Sequence, residues 1–409
     1  MALRKFMDRI RPHFQPGGKL SALHSVYDGL DTFLYTPRQT SGNGAVHVHD
    51  SMDSKRTMTI VILALMPCFL FGMYNTGYQH WLAAGQTEFP FWSLMLYGLL
   101  AILPMVMVTY IVGLGIEFIS AQMRGEEIQE GFLVTGIILP MILPVETPLW
   151  MVAVATAFAV IFAKEVFGGT GYNIFNVALV ARAFLFFAYP GKMSGDSVFV
   201  ATGSQFGFGP EAVDGFTCAT PLGQIATATG GDAFNNLTGV AGQHISSWDA
   251  FVGLIPGSFG ETSMVCILIG AVILLVNRIA SWRIMLSVFA GGLAMGWLAN
   301  CLATPTYPGS YIPAVDQLLF GGFAFAAVFM ATDPVTAART NTGKYIYGFL
   351  IGVIAVLIRT YNTGYPEGAM LAVLLMNAFA PLIDWCVVQA NIRRRTRRLV
   401  QAENSVDAD

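Results

Sequence analysis

The chain has 409 residues, of which 55% are hydrophobic and only 11% charged. Soluble domains carry about 25% charged residues, so this composition belongs to a protein built for lipid. With Lys+Arg 22 against Asp+Glu 25 and a formal charge of -3, there is no basic excess to hold a nucleic acid.

Residues 1–56 read as a polar leader. No apolar h-region precedes a small-residue cleavage site, so the first apolar helix is expected to act as its own insertion signal. Leu3, Phe6, Met7, Ile10 and Phe14 recur at helical spacing, with Arg4, Lys5, Arg9 and Arg11 on the other face. Such a basic amphipathic helix either lies on an anionic membrane surface or docks on another subunit. His47, His49 and Asp50 are too few donors to make a metal site.

Ten apolar segments follow, near 57–76, 92–120, 131–147, 149–167, 174–190, 262–278, 283–302, 316–332, 344–361 and 367–390. A hydrocarbon core of about 30 Å takes roughly 20 residues of helix. Several segments are shorter than that, or are interrupted by Pro104, Pro140 and Pro144. Backbone groups freed at such breaks must find partners in neighbouring protein, because lipid offers none. The expected fold is an all-α polytopic membrane protein. Its parts are the leader, helices over 57–190, a polar loop over 191–261, helices over 262–390 and a basic tail over 391–409.

Lys and Arg cluster in the leader and again at Arg393, Arg394, Arg395, Arg397 and Arg398. An even number of spans puts both clusters on the cytoplasmic side under the positive-inside rule. The 191–249 stretch then lies on the outer, periplasmic face of an inner membrane.

The chain also resembles itself. Thr170-Gly171-Tyr172 returns as Thr363-Gly364-Tyr365. Gly131-Phe132 ahead of Pro144-Val145 returns as Gly322-Phe323 ahead of Pro334-Val335, at nearly the same spacing. In this topology each pair lies on opposite sides of the membrane. Two five-helix repeats of inverted orientation account for that, with a pathway at their interface.

Of five cysteines, Cys68, Cys266, Cys301 and Cys386 fall in or beside apolar helices, and Cys218 lies in the loop. No C-x-x-C spacing is present, so the chain is not expected to hold an iron–sulfur cluster by itself. The four helical cysteines are expected to be buried packing residues.

Ionisable side chains inside spans are candidates for function by default. Glu117, Asp333, Asp384 and Arg182 stand out, and Lys164 and Glu165 are placed to pair locally. Acids near broken helices supply the hard oxygen donors that suit Na⁺ or H⁺ handling. The plainer reading of each is an interfacial ion pair or a helix-end charge. Phe325 and Phe329 are one turn apart, and form either a dewetting constriction or core packing. Phe167-Gly168-Gly169-Thr170 lacks the Gly-Lys-Ser/Thr of a P-loop, so it reads as close packing or as amides free to meet a polar ligand.

The loop contains Asp214-Gly-Phe-Thr217-Cys218-Ala219-Thr220. A Thr hydroxyl without a neighbouring base is a weak nucleophile, so self-catalysis is not expected. The stretch resembles a flavinylation motif: an Asp, two spacer residues and a Ser/Thr-Gly-Ala-Thr core, with Cys218 in the place of the usual Gly. In that motif a flavin transferase esterifies the last Thr, here Thr220, with the phosphate of FMN. The resemblance makes Asp214, Thr217 and Ala219 the cofactor-site residues beside Thr220, while the motif alone also reads as an ordinary Thr-rich loop.

Lys164-Glu-Val-Phe-Gly-Gly-Thr-Gly, Arg182-Ala-Phe-Leu-Phe-Phe-Ala-Tyr-Pro, Ile255-Pro-Gly-Ser-Phe-Gly-Glu, Ala331-Thr-Asp-Pro-Val and the Tyr365-Pro-Glu-Gly turn extend the likeness. So does the leader, with Phe14-Gln-Pro-Gly-Gly-Lys and Tyr35-Thr-Pro. Over essentially its whole length the chain resembles the family of the B subunit of the Na⁺-translocating NADH:quinone oxidoreductase. The D subunit of the Rnf electron-transfer complex is the sister family, and the long leader favours the quinone-linked one. The resemblance implies a membrane subunit that works with subunits A, C, D, E and F and with ubiquinone. It implies covalent FMN on Thr220, noncovalent riboflavin, and Na⁺ as the exported ion. It places the quinone at Gly113 and Leu114, the second of which replaces a family Gly. It places Na⁺ uptake at Glu117, Asp333 and Asp384. A non-redox solute channel of the same fold is the alternative of a different class.

Overall fold

In the computed structural model, the residues described are 2–14, 18, 24, 27, 31, 54–125, 131–193, 195, 199–211, 218–228, 230–362 and 364–406. His47, His49, Asp50, Asp214 and Thr217 lie outside them. The described residues form helices and no named strand.

Helix α1 spans Ala2–Phe14, as the apolar spacing predicts. The Tyr27 hydroxyl donates to the Met7 carbonyl at 2.9 Å, and the Tyr27 ring stacks on Phe14. The first half of the membrane part is α2 (Ser54–Ala83), α3 (Phe91–Arg124), α4 (Phe132–Ile142), α5 (Leu149–Ala159) and α6 (Val177–Ala188). Helix α5 continues through a π-turn, Val160–Lys164, and a 3-10 turn, Glu165–Phe167. A folded cap follows, holding α7 (Pro221–Thr227) and α8 (Ser247–Val252). The second half is α9 (Met264–Val276), α10 (Trp282–Cys301), α11 (Asp316–Leu319), α12 (Phe323–Phe325), α13 (Asn341–Tyr361) and α14 (Ala369–Val406). Helix α12 runs on as the π-turn Ala326–Met330.

All ten predicted apolar segments are helical, but they differ in reach. Among the described residues, six helices are long and apolar enough to cross a membrane. The elements over the third, fifth, sixth and eighth segments are too short to cross alone, since about 12 residues of helix rise only about 18 Å. The third stops at Ile142, ahead of Pro144. The eighth breaks at Gly321 and Gly322, whose φ of 61° and 66° leaves the helical region. Glycine reaches that conformation without a side-chain clash.

The two halves are inverted copies. The starts of α2, α4 and α6 meet the ends of α9 and of the α12 π-turn around one cavity, lined by Thr57, Gly131, Asn176, Ile279 and Asp333. The opposite ends meet on the other side. There Arg182 contacts the last carbonyl of α4 at Ile142, together with Glu261 before α9 and Glu367 before α14. Equivalent elements therefore run in opposite directions. They also pack as equivalents: α2 against α9 and α6 against α14 across the halves, α3 against α5 and α10 against α13 within them. Small residues permit the closest approach, as in α10–α13, where a Cβ on Gly291 would stand 2.2 Å from the Phe349 carbonyl oxygen.

We call the side where α2 begins the terminal side, and the opposite one the loop side. Ile111, Val272 and Trp297 are exposed on the outer face of the bundle, where lipid receives them. Among its described residues, the polar loop is folded into a cap. Leu222, Ile225, Leu237, Ile245 and Phe320 form a small core that ties it to α11. The cysteines also depart from expectation. Cys68 is buried, but Cys301 and Cys386 are exposed on helix surfaces, because a helix facing lipid has no reason to hide a small apolar group.

Candidate functional site

Thr220 sits where the cap meets the membrane helices. Pro221 begins α7, and Thr220 caps it: Oγ1 accepts from the Gly223 amide at 3.2 Å. A Thr cap satisfies one of the free amides of a first turn, which is why Thr-Pro starts a helix here. The Thr220 amide donates to the Gly195 carbonyl at 2.8 Å. Gln224 fixes the corner, donating to the Ala219 carbonyl at 3.0 Å and the Thr238 carbonyl at 2.7 Å. Ala219 thus contributes its backbone. Cys218 is half-buried beside it, and burial pushes its thiol up.

The residue is 7% exposed, whereas a flavinylation motif is expected on an exposed loop. The ester chemistry nevertheless fits the side chain. Oγ1 acts only as an acceptor among the described contacts, so its proton is not engaged and is the atom that a phosphate ester replaces.

Below Thr220 lies a polar cluster that reading the residues singly does not assemble. Arg182 pairs with Glu367 and, at 3.6 Å, with Glu261, and also donates to the Ile142 carbonyl. Arg359 donates to the Gln317 carbonyl at 2.5 Å and to the Gly321 carbonyl at 3.3 Å. Each arginine therefore meets backbone carbonyls freed where a helix breaks, which is the requirement that membrane breaks impose. Only Arg182 stands out in the sequence; Glu261, Arg359 and Glu367 read as turn and helix-end charges. The signal that picks them out is their place beside Gly-Pro breaks.

On the terminal side a cavity of about 100 Å³ lies between the halves. Asp333 lines it, accepting from the Val335 amide at 3.0 Å and from Asn176 at 3.4 Å. Asn176 also caps α6 through the Leu179 amide. Lys164 lines the same cavity and pairs with Glu117 of α3, both buried. It does not pair with Glu165, which instead meets Arg124 at 3.2 Å and Ser120 at 2.5 Å. The π-turn at 160–164 shifts the helix register, so Lys164 and Glu165 face different neighbours.

Asp384 is set apart from this cavity. It caps α13 from outside, accepting from the Arg339 amide at 2.7 Å, the Thr340 amide at 3.0 Å and the Thr340 hydroxyl at 2.5 Å. Phe325 and Phe329 are buried, with ring centroids 4.9 Å apart, and Phe329 borders the cavity. Gly113 is filled by its neighbour: a Cβ there would stand 1.9 Å from the Phe132 ring. Leu114 packs half-buried against the core.

A bundle of inverted five-helix repeats, with broken helices meeting polar residues at the interface, defines a class of membrane transport proteins. The chain belongs to the NQR2, RnfD, RnfE family, whose match covers residues 42–393. Among its relatives is the B subunit of the Na⁺-translocating NADH-quinone reductase of Chromohalobacter salexigens, 44% identical over 97% of both chains. The proteins of the same name from Klebsiella pneumoniae and Ectopseudomonas mendocina are 43% and 44% identical, over 97% and 98% of this chain and 100% of each relative.

Proposed function

We propose that this chain is the B subunit of a Na⁺-pumping NADH:quinone oxidoreductase, carrying covalent FMN on Thr220. The observation behind this reading is the near-full-length similarity to proteins of that name, at 43–44% identity. The capped, acceptor-only Thr220 hydroxyl supports the attachment point. The subunit works in a bacterial inner membrane with both termini cytoplasmic, beside subunits A, C, D, E and F, and receives its flavin from a flavin transferase. It also binds riboflavin without a covalent bond.

Bound flavin supplies the electron transfer, from NADH-derived carriers toward ubiquinone. The chain's own residues hold position and polarity. Gln224 and Gly195 fix the backbone at Thr220. Arg182 and Arg359 hold positive charge in the buried cluster under it. Asp333 offers oxygen to a cation entering from the terminal side, and Phe325 and Phe329 close the apolar stretch beyond it. Glu117, held by Lys164, borders that route, and Asp384 acts from outside the cavity by capping α13. Gly113 and Leu114 mark the quinone contact near the α1 leader. Na⁺ transport stays tied to redox only through a difference in Na⁺ affinity or access between redox states.

In a denaturing gel the parent band fluoresces under ultraviolet light, Thr220→Ala abolishes the signal and Thr220→Ser retains it. Fluorescence that persists in Thr220→Ala overturns the attachment site, and a dark parent band favours a channel without redox function. An Asp333→Ala/Asp384→Ala variant loses tight coupling of Na⁺ transport to quinone reduction; full coupling removes those acids from the pathway.

A further inference from the structure

The loop-side cluster contains one carboxylate oxygen that its ion pairs leave unused. Glu261 is 7% exposed. Its Oε2 faces Arg182 at 3.6 Å, while Oε1 has no hydrogen-bond partner. A buried carboxylate oxygen without a geometric hydrogen-bond partner is costly, and it leaves room for an occupant from outside the chain. Glu261 lines a cavity of about 30 Å³ together with Thr220, Ser258, Thr262, Gly322 and Glu367. A space of that size holds one water-sized particle. Its side-chain donors are hydroxyls and carboxylates, with no nitrogen or sulfur ligand among them. Hard oxygen donors of that kind select a hard cation.

We infer that the cavity beneath Thr220 is a transit site for one Na⁺, with Glu261 Oε1 as its charged ligand. The inference rests on the sodium-pump reading above, which supplies the ion. The charge balance explains the affinity such a site has. Arg182 and Arg359 stand against Glu261 and Glu367, so the charges of these four side chains balance before the ion arrives. A resident structural cation needs an excess of carboxylates. A neutral surround with one free oxygen binds weakly, and conduction requires sites that release as readily as they bind.

Position supports the same assignment. A Cβ on Gly322 would stand 2.8 Å from the Glu261 carboxylate, so Glu261 rests on the start of the broken helix. That helix runs on to Met330, three residues before Asp333. Phe325 and Phe329 lie between its start and Asp333. Glu261 and Asp333 thus occupy the two ends of one apolar constriction, each beside its own cavity. A cation leaving Asp333 past the phenylalanines next meets Glu261, directly under the proposed flavin-bearing residue.

The test uses the complete complex in proteoliposomes, with ²²Na⁺ uptake and the Na⁺ concentration for half-maximal quinone reduction as readouts. Glu261→Gln raises that concentration at least tenfold and lowers uptake per NADH oxidised. Glu261→Asp, which keeps the charge but draws the oxygen back by one methylene, raises it about twofold to threefold. Flavin fluorescence of the subunit stays at the parent level in both, which separates ion binding from loss of the flavin. A parent complex that takes up no Na⁺ overturns the sodium-pump reading, and this inference with it. A parent that pumps, beside a Glu261→Gln variant of unchanged Na⁺ half-saturation, overturns the site alone. So does a variant altered only in its pH dependence, which makes Glu261 a proton carrier. If Glu261→Gln fails to assemble, Glu261→Asp decides: a raised half-saturation supports the site, and the parental value overturns it.

Discussion

The two sides of the bundle handle charge in opposite ways. On the terminal side Asp333 faces its cavity with amide partners and, among the described residues, no ion pair. On the loop side Glu261 and Glu367 face Arg182 and Arg359, and the charges of these four side chains balance. An inverted repeat makes the two ends of the pathway similar in backbone, so side chains must make them different. A lone carboxylate attracts a cation, whereas a neutralised one lets it go. Under the proposed sodium-pump reading, the direction of transport follows from which cavity keeps its carboxylate uncompensated.

The comparison breaks most sharply at Arg182. Arg182→Leu removes the partner of two buried acids and of the Ile142 carbonyl. A destabilisation of about 3–5 kcal/mol is expected, as for other broken buried pairs. Thermal unfolding of the detergent-purified complex measures it. On the terminal side Glu117→Gln leaves Lys164 buried and unpaired, at a cost of about 3 kcal/mol. Replacing both, as Glu117→Leu/Lys164→Met, restores most of the loss in the same assay.

Smaller effects sharpen the picture. Gly113→Ala drives a methyl group into the Phe132 ring and costs about 1–3 kcal/mol. Phe132→Leu in the same chain recovers part of it; quinone affinity that follows stability through this pair makes Gly113 a packing residue. Asp384→Ala removes the outside cap of α13 and costs about 1 kcal/mol. Its Na⁺ half-saturation shifts less than that of Asp333→Asn, since only Asp333 lines the cavity. The smallest effect concerns Cys218. A thiol raised by burial carries less thiolate at neutral pH, so iodoacetamide labels Cys218 in the folded complex more slowly than in the denatured chain. The gap narrows as pH rises toward the thiol's raised value.

Much of the fold was legible in the residues. The ten apolar segments mark the helices because lipid demands continuous apolar runs. The Thr-Gly-Tyr and Gly-Phe echoes revealed the repeat, because equivalent breaks need equivalent turn residues. The acids Glu117 and Asp333 stood out by burial cost alone. Glu261, Arg359 and Glu367 did not, since each lies at a helix end, where a charge is ordinary. Their partners are distant in sequence, as Arg182–Glu367 shows, and no local pattern records such a pair. The cap was missed for a similar reason: its few apolar residues, among them Leu222, Leu237 and Ile245, form a core only once the chain has folded over α11.

By itself the sequence determined the membrane class, the ten apolar segments that become helical and the echoes that mark the inverted repeat. These depend on composition and on short local patterns, which can be matched to one another along the chain without knowing the packing. Tertiary structure alone decided that Lys164 turns to Glu117 rather than Glu165, that Asp384 caps a helix away from the cavity, and that Glu261 lies beneath Thr220 with a free oxygen. Those outcomes depend on which break faces which across two packed halves, and packing brings together groups that the order of the chain keeps apart.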